Sequence, residues 1–328
     1  MSLLLVSVVV VALFFDFTNG FHDSANAIGT SISTRAMRPG PALLLAAVLN
    51  FVGALLSTSI AATIAKGIVD PNVVTLPIVL AGLMAAITWN LYTWYRGIPS
   101  SSSHCLVGGI AGAVAVGYGL SGVQWTGIVL KVLVPTVASP LVGFMVGMGF
   151  TSALAWTFRR TNPGVMNSRF RALQLVSASG MALSHGLNDA QKTMGVITLA
   201  LFANGVIAEP EVPTWVKASC ALFMGLGTFT GGKRIIKTLG TRIAKLTPVD
   251  GFSAQTAGTG VLQVAAYLGL PVSTTHVITA TVMGVGCTRR VKAVRWGVSY
   301  DIVVAWIITM PTAGLLGAVF TYVLLVLM

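Results

Sequence analysis

The sequence predicts an all-α polytopic membrane protein with two inverted-topology repeats, discontinuous helices and two re-entrant hairpins. Charged residues make up 9% of the 328 residues and hydrophobic residues 55%, whereas soluble domains carry about 25% charged residues. The mean hydropathy is +0.86, so most of the surface is expected to face lipid. Two polar motifs each occur twice at nearly constant spacing, which is typical of a site formed between two related halves.

The positive charge of the chain lies in its connectors rather than in its apolar segments. Twenty Lys and Arg residues against eight Asp and Glu give a net charge of +12, which in a soluble protein would suggest nucleic-acid binding. Here the basic residues cluster near Arg35, over 159–171, over 233–245 and over 289–295, as in cytoplasmic loops. We therefore expect a multi-pass protein surrounded by membrane lipid, with no nucleic-acid partner.

Placing the basic connectors in the cytoplasm fixes the direction of each predicted span. Residues 1–160 and 161–328 then form two repeats of opposite topology. The spans of the first repeat are predicted at 1–34, 40–66 and 126–158, and those of the second at 172–205, 214–231 and 296–328. The first span of each repeat is expected to be broken, at Asn19–Asp23 and at His185–Asp189.

Two further apolar stretches, 74–119 and 253–287, carry a bend rich in Pro, Ser and Thr. The loop charges allow each stretch to be either two full spans or one re-entrant hairpin. Because lipid cannot satisfy the polar backbone of such a bend, we favour hairpins whose tips are buried in protein. Between them, basic residues alternate with Ile and Leu at helical spacing over about 233–246, which predicts an amphipathic helix on the cytoplasmic membrane interface.

Three acidic residues, Asp16, Asp23 and Asp189, lie within the two spans that are expected to be broken. A carboxylate there costs roughly 3 kcal/mol on insertion scales, so it must be paired, solvated or functional. Asp23 and Asp189 belong to the first duplicated motif, 20–26 and 185–192, whose glycines are expected to break the helices. Freed N–H groups at a break would favour an anion and freed carbonyls a cation. The alternative is a carboxylate that only caps its own broken helix.

The second duplicated motif, 99–104 and 271–276, supplies a dense group of hydroxyls at the hairpin bends. A tetrahedral oxyanion needs many hydrogen-bond donors, and a buried bend provides both hydroxyl and backbone N–H groups. Each copy ends in a histidine, His104 or His276, which could orient the hydroxyls, contact the anion, titrate or serve only a structural role. The hydroxyls, in turn, could simply bond to carbonyls of their own helix.

Together the two motifs define the candidate site. The expected substrate-binding residues are Asp23, Asn26, Ser101, Ser102, Ser103, Asn188, Asp189, Ser273, Thr274 and Thr275. The expected cation- or proton-coupling residues are His22, Asp23, Asp189, Lys192, Asp16, His104 and His276. We predict no catalytic residue, resident metal or cofactor, because the sequence shows no nucleophile–base pairing and its three cysteines have no metal-site spacing.

These motifs, Gly-Phe-His-Asp-Ser-Ala-Asn, His-Gly-Leu-Asn-Asp-Ala-Gln-Lys and the two Pro–Ser/Thr–His segments, resemble the inorganic phosphate transporter (PiT) family over nearly the whole chain. Residues 237–252 are also similar to bacterial members of that family. The resemblance implies a secondary active symporter, not an enzyme, that imports inorganic phosphate together with a cation. The histidine and aspartate residues of the first motif are also compatible with a metal–phosphate complex as the substrate. The resemblance further implies a homodimer in the bacterial inner membrane.

Two departures from the family pattern indicate the coupling ion. Sodium-coupled members carry Gly-Ala-Asn-Asp-Val-Ala-Asn in both halves. Here His22 replaces the first Asn of the copy in the first half, and Lys192 replaces the last Asn of the copy in the second half. An ammonium group supplies the positive charge that Na⁺ would bring, and histidine titrates near neutral pH. The chain thus resembles the proton-coupled, low-affinity bacterial branch. The alternative for Lys192 is extension to the membrane interface.

Two other transport functions stay open as alternatives. A sulfate symporter of the same fold would use the same donor geometry. A divalent-metal transporter would use the histidine and aspartate of each copy of the first motif as ligands. Lys192 beside Asp189 disfavours a bare cation site of that kind.

Overall fold

The computed structural model describes residues 2–327, which form thirteen α-helices joined by short turns and contain no β-strand. The helices are α1 (Leu3–Ser33), α2 (Pro39–Ala54), α3 (Ser59–Gly67), α4 (Leu76–Arg96), α5 (Ser102–Gly117), α6 (Trp125–Ile128), α7 (Val134–Thr157), α8 (Pro163–Ala203), α9 (Thr214–Thr230), α10 (Lys233–Lys237), α11 (Pro248–Tyr267), α12 (Thr274–Cys287) and α13 (Trp296–Leu327). π-helical turns follow α6 at Val129–Leu133 and α10 at Thr238–Arg242. The predicted all-α fold is confirmed.

Four segments of the described chain are long and apolar enough to cross a membrane. They are Leu3–Ser33, Leu76–Arg96, Trp125–Thr157 and Trp296–Leu327. α2 and α3 together would form a fifth span, bent by 67°, so the predicted span 40–66 is not a single straight helix. This helix array is that of a multi-pass membrane protein.

The breaks predicted in the first span of each half are wrong. α1 and α8 run without interruption through Asn19–Asp23 and His185–Asp189. The glycines expected to break them are points of close helix packing instead. A Cβ atom at Gly20 would lie 2.5 Å from a carbonyl oxygen of α9, and one at Gly186 would lie 2.1 Å from a carbonyl oxygen of α2. Small residues let membrane helices approach this closely, so neither carboxylate lies at a half-helix end.

The two hydroxyl-rich bends join α4 to α5 and α11 to α12, as predicted, and the two arms of each hairpin pack on each other. α5 and α12 have 16 and 14 residues, fewer than the about 20 that a full span requires. α4 has 21 residues and is long enough to cross. The re-entrant arrangement of the hairpins stays a prediction.

The predicted amphipathic helix forms α10 and the π turn that follows it. Its apolar residues Ile235, Leu239 and Ile243 are buried, and its Lys and Arg side chains are exposed. The buried face packs on α1, where a Cβ atom at Gly240 would lie 2.6 Å from the carbonyl oxygen of Gly29. The apolar face thus contacts protein, and the position of this helix at the cytoplasmic membrane interface stays a prediction.

Helices of the two halves pack across each other in reciprocal pairs. α1 contacts α9 while α8 contacts α2, and α5 contacts α13 while α12 contacts α7. α1 and α8 also contact each other and the start of α12. This packing brings both copies of both motifs to one buried region of the helix array.

Candidate functional site

The first duplicated motif places two buried carboxylates side by side. Asp23 of α1 and Asp189 of α8 are 2% and 1% exposed. A carboxylate oxygen of each residue and a ring nitrogen of His185 all lie within 4.8 Å of one another. Two carboxylates buried this close together need hydrogen bonds or counter-charges, and the neighbouring side chains supply both.

Hydroxyls from both hairpins donate to these carboxylates. Ser102 Oγ lies 3.1 Å from Asp23 Oδ2, and Thr275 Oγ1 lies 3.2 Å from Asp23 Oδ1. Thr274 Oγ1 lies 3.1 Å from Asp189 Oδ2. Residues from both halves of the chain therefore form one hydrogen-bonded cluster, and these three hydroxyls face the site rather than their own helix carbonyls.

The remaining polar side chains of the motifs surround this cluster. Asn26 Nδ2 donates to the hydroxyls of Thr274 and Thr275, at 3.2 and 2.9 Å, and so orients two donors. Asn188 Nδ2 donates to backbone carbonyls of α8 and α11, at 2.8 and 3.3 Å. Ser103 Oγ donates to a backbone carbonyl of the other hairpin, at 3.4 Å. Asn188 and Ser103 thus link the elements that form the walls of the cluster.

The second motif starts two helices at the carboxylates. The hydroxyls of Ser101 and Ser273 accept the N–H groups of His104 and His276, each at 3.2 Å, and so cap α5 and α12. First-turn N–H groups lack partners inside the helix and carry partial positive charge. Positive helix ends were predicted at breaks in α1 and α8. The helix N-termini that face the carboxylates are instead those of α5 and α12. A serine before an apolar helical run is the sequence signal for such a start.

Lys192 supplies a positive charge inside the cluster. Its ammonium group donates to a carboxylate oxygen of Asp189, and both side chains are 1% exposed. On the other side of Asp189, His185 Nε2 lies 3.3 Å from Oδ2. Extension of Lys192 to the membrane interface is wrong, because its head group is buried in an ion pair with Asp189.

His22 connects Asp23 to a chain of polar groups that the sequence did not reveal. His22 Nδ1 lies 2.6 Å from Asp23 Oδ1, and Nε2 lies 3.0 Å from Thr93 Oγ1 of α4. Ser100 Oγ donates to Thr93 Oγ1 at 2.8 Å. Thr93 was missed because a lone threonine in an apolar helix forms no motif. His185 lies in the first motif, where the sequence indicates it only as a candidate metal ligand.

Asp16 lies apart from the hydroxyls, about 10 Å along α1 from Asp23. It is fully buried, and its Oδ1 accepts a hydrogen bond from the Thr193 hydroxyl at 2.9 Å. Within residues 2–327, its Oδ2 and both polar side-chain atoms of Asn19 have no hydrogen-bond partner. Buried polar atoms of this kind need an explanation such as an ordered water or a bound ion.

His104 and His276 lie behind the hydroxyls rather than among them. Their ring centroids are 4.9 Å apart, His104 Nε2 lies 2.6 Å from Thr136 Oγ1, and His276 stacks on Trp306 at 4.0 Å. Both rings line a cavity of about 860 Å³ between α5, α7, α12 and α13. Within the described residues, no hydrogen bond or ion pair joins either ring to the two carboxylates.

The cluster also contains ligands for a cation. Asp23, His185 and Asp189 offer three atoms that could hold a metal ion, and imidazole with carboxylate suits divalent ions of the first transition row. Lys192 already supplies an ammonium group at Asp189, so a bare metal ion would meet like-charge repulsion. The arrangement favours an anion beside a fixed cation.

The fold and the site define the class of protein: a polytopic helical membrane transporter whose polar centre lies between two halves of the chain. Comparison with known sequences then gives the family. The sequence model of the Phosphate transporter family matches residues 19–317, and the chain belongs to that family. Its members are transporters, not enzymes, and the family supports inorganic phosphate as the substrate.

Bacterial relatives match nearly the whole chain. A "Probable low-affinity inorganic phosphate transporter" of Rhizobium meliloti is 50% identical over 317 residues, which are 96% of this chain and 95% of the relative. A protein of the same name from Bacillus subtilis is 46% identical over 325 residues, 98% of this chain and 97% of the relative. A solved structure named "The sodium-dependent phosphate transporter" is similar with a TM-score of 0.91 and 25% identity, covering 100% of both chains. The resemblance of the motifs to the phosphate transporter family is confirmed.

Proposed function

We propose that this phosphate transporter is a proton-coupled symporter that imports inorganic phosphate across the bacterial inner membrane. The observation that carries the proposal is the single cluster in which Asp23 and Asp189 meet hydroxyls from both hairpins. Secondary transporters bind their substrate at the interface of two repeats, near the middle of the membrane. The convergence of the two motifs supports that position for phosphate.

Phosphate would bind by taking over hydrogen bonds that the carboxylates receive. Ser102, Thr274 and Thr275 each have an O–H group that can turn from a carboxylate to a phosphate oxygen. The first-turn N–H groups of α5 and α12 add donors with partial positive charge, as at other phosphate sites. Ser101 and Ser273 would hold these turns in place through their capping hydrogen bonds.

The carboxylates support phosphate over sulfate as the transported anion. A carboxylate repels a fully charged oxyanion, but it accepts a hydrogen bond from a P–OH group. Phosphate carries such a group near neutral pH, whereas sulfate has no proton to donate to Asp23 or Asp189. Sulfate would therefore leave like charges in contact within a buried site.

The ion pair between Lys192 and Asp189 supports coupling to protons rather than to sodium. The buried ammonium group lies where a coupling cation would otherwise bind the carboxylate. His22 Nδ1 lies 2.6 Å from Asp23 Oδ1, within the reach that proton transfer between a ring nitrogen and a carboxylate requires. The solved neighbour is named as sodium-dependent, which makes sodium coupling the second candidate.

Three other predicted coupling residues would act outside the phosphate cluster. Asp16 would hold a proton at a separate, fully buried position of α1, where the Thr193 hydroxyl is its hydrogen-bond partner. His104 and His276 would act through the starts of α5 and α12, to which they belong. The contact between the two histidine rings also joins the two hairpins directly.

A metal–phosphate complex is a second candidate for the transported species. The observation that favours it is the set of three ligand atoms from Asp23, His185 and Asp189 within 4.8 Å. A divalent ion that arrives bound to phosphate carries less net charge than the bare ion. Lys192 would therefore oppose the complex less than it opposes a bare metal ion.

We also propose that residues 1–160 and 161–328 are two inverted-topology repeats. The reciprocal packing of α1 on α9 and α8 on α2, and of α5 on α13 and α12 on α7, supports a two-fold relation between the halves. The homodimer implied by the family resemblance is part of the same proposal.

The site is tested by phosphate uptake into proteoliposomes under an imposed proton gradient. Asp23→Asn and Asp189→Asn should each abolish net uptake while the protein still inserts and purifies, because an amide can neither carry the negative charge of the carboxylate nor bind and release a coupling proton. Asp301→Asn, at an exposed position of α13, is the matched control and should keep full uptake. Full activity of either site variant would refute the two-fold site. Sulfate that competes as well as phosphate would favour the sulfate alternative.

A further inference from the structure

We propose that two basic connectors form a binding basin for the headgroup of an anionic phospholipid. The basin consists of Lys237, Arg242, Lys245, Arg290, Lys292 and Arg295, and all six side chains are exposed. They line two adjoining cavities of about 610 and 380 Å³, with Lys245 and Arg295 shared between the two. No step of phosphate transport proposed above uses this site.

The two connectors are held together as one surface. The Arg295 N–H group donates to the carbonyl of Ile243 at 2.9 Å, which joins the connector after α12 to the one after α10. Val294 is 2% exposed. A Cβ atom at Gly286 would lie 2.8 Å from Val294 Cγ2 and 3.2 Å from Ala244 Cβ. This packing holds the two connectors in direct contact. Their basic residues are therefore close together in space, beyond merely lying on the same side of the membrane.

The charges of the basin are not neutralised by the described part of the protein. The neighbouring carboxylate, Asp250, pairs with Arg289 at 2.7 Å and accepts the backbone N–H of Thr247. None of the six basin side chains forms an ion pair within residues 2–327. Like charges in a concave surface raise the local potential, so the basin is suited to a ligand with more than one negative charge.

The position of the basin favours a lipid headgroup over a soluble anion. Arg295 directly precedes α13, one of the candidate membrane spans. The first turns of that helix expose Trp296 by 47% and Tyr300 by 70%, and such residues are enriched at the level of the headgroups. Lys and Arg clusters next to a span bind anionic headgroups. Val291, between Arg290 and Lys292 in the chain, is 62% exposed and can contact the acyl region.

A headgroup in the basin would connect two elements that carry the transport site. α12 has Thr274 and Thr275 in its first turn and ends beside the basin. The other connector packs on α1 through Gly240 and Gly29, and α1 carries Asp23. A bound anionic lipid would therefore stabilise the mutual position of α1 and α12.

The test is the affinity of the full-length protein for cardiolipin, measured by native mass spectrometry with phosphatidylcholine as the comparison lipid. The triple variant Arg242→Gln, Lys245→Gln and Arg295→Gln should bind cardiolipin about 100-fold more weakly, with phosphatidylcholine unchanged. The matched control, Arg159→Gln, Arg160→Gln and Arg171→Gln, removes three exposed basic residues outside the basin. It should keep the affinity of the unmodified protein.

Three results would overturn the proposal. Equal losses in both triple variants would show an effect of overall charge, and an unchanged basin variant would place the lipid elsewhere. Tripolyphosphate that binds the basin in detergent and displaces cardiolipin at equal concentration would assign the site to a soluble polyanion. An unchanged unfolding temperature of the basin variant in detergent confirms that it is folded. Because lipid binding is measured directly, the outcome does not depend on the proposed transport mechanism.

Discussion

At the scale of single residues, the candidate site consists of groups that are costly to bury in a membrane. Asp23, Asp189 and Lys192 were predictable from the sequence, because charged groups in apolar spans are rare without a function. Their partners were less predictable. Thr93 contacts His22 from a helix with no motif, and a sequence does not show that hydroxyls of one half face a carboxylate of the other.

Removing a hydroxyl that donates into the cluster should weaken phosphate binding. Ser102→Ala, Thr274→Ala and Thr275→Ala each remove one donor. A net hydrogen bond of about 1.4 kcal/mol corresponds to a roughly tenfold higher phosphate concentration for half-maximal uptake. Thr279→Ala is the matched control in α12, because its buried hydroxyl has no partner within the described residues. Unchanged half-saturation in all three site variants would place the anion elsewhere.

Asp16→Asn should separate phosphate binding from proton-driven accumulation. Asp16 lies about 10 Å along α1 from Asp23 and bonds to Thr193, so its loss removes a proton position but no phosphate ligand. Exchange of internal for external phosphate should continue, while accumulation against a gradient should fall to background. Asp16→Glu, which keeps a carboxyl group, should restore part of the accumulation. Equal loss of exchange and accumulation in Asp16→Asn would contradict a separate proton position.

At the scale of helices, the sequence predicted the elements better than their interruptions. Apolar length and basic connectors were sufficient to place the span Trp125–Thr157, α9 and α13 close to their observed bounds. The breaks were wrong because glycine serves two purposes in membrane helices. The sequence contains Gly20 and Gly186, but it does not show which helix crosses there, and the contact with α9 or α2 decides between a break and a packing point.

The close contact at Gly186 predicts a difference between two glycine variants. In Gly186→Ala the new Cβ atom would lie 2.1 Å from the carbonyl oxygen of Asn50, so α8 and α2 must separate. Such overpacking costs about 1–3 kcal/mol and should lower the unfolding temperature in detergent. Gly260→Ala in α11 is the control, since nothing lies within 4 Å of its added Cβ atom, and its unfolding temperature should not fall. Equal unfolding temperatures would contradict the tight crossing.

At the scale of the whole molecule, the duplication of both motifs was the most informative feature of the sequence. It predicted that the two halves would contribute to one site, and the structure brings Asp23 and Asp189 together with both hairpins. The partners of each helix could not be predicted. Nothing in the sequence of α5 specifies packing on α13 rather than on α7, because both are apolar helices with small residues, and the choice depends on the path of the whole chain.

The most direct measurement of proton-coupled phosphate transport is uptake of labelled phosphate into proteoliposomes with independently imposed proton and sodium gradients. A proton gradient alone should drive accumulation, and a sodium gradient alone should not, because the ammonium group of Lys192 is paired with Asp189. Replacing His22 and Lys192 with Asn recreates the sodium-type motif locally, and sodium dependence gained by that double variant would support the same assignment. Accumulation by the unmodified protein that follows the sodium gradient and ignores the proton gradient would contradict it.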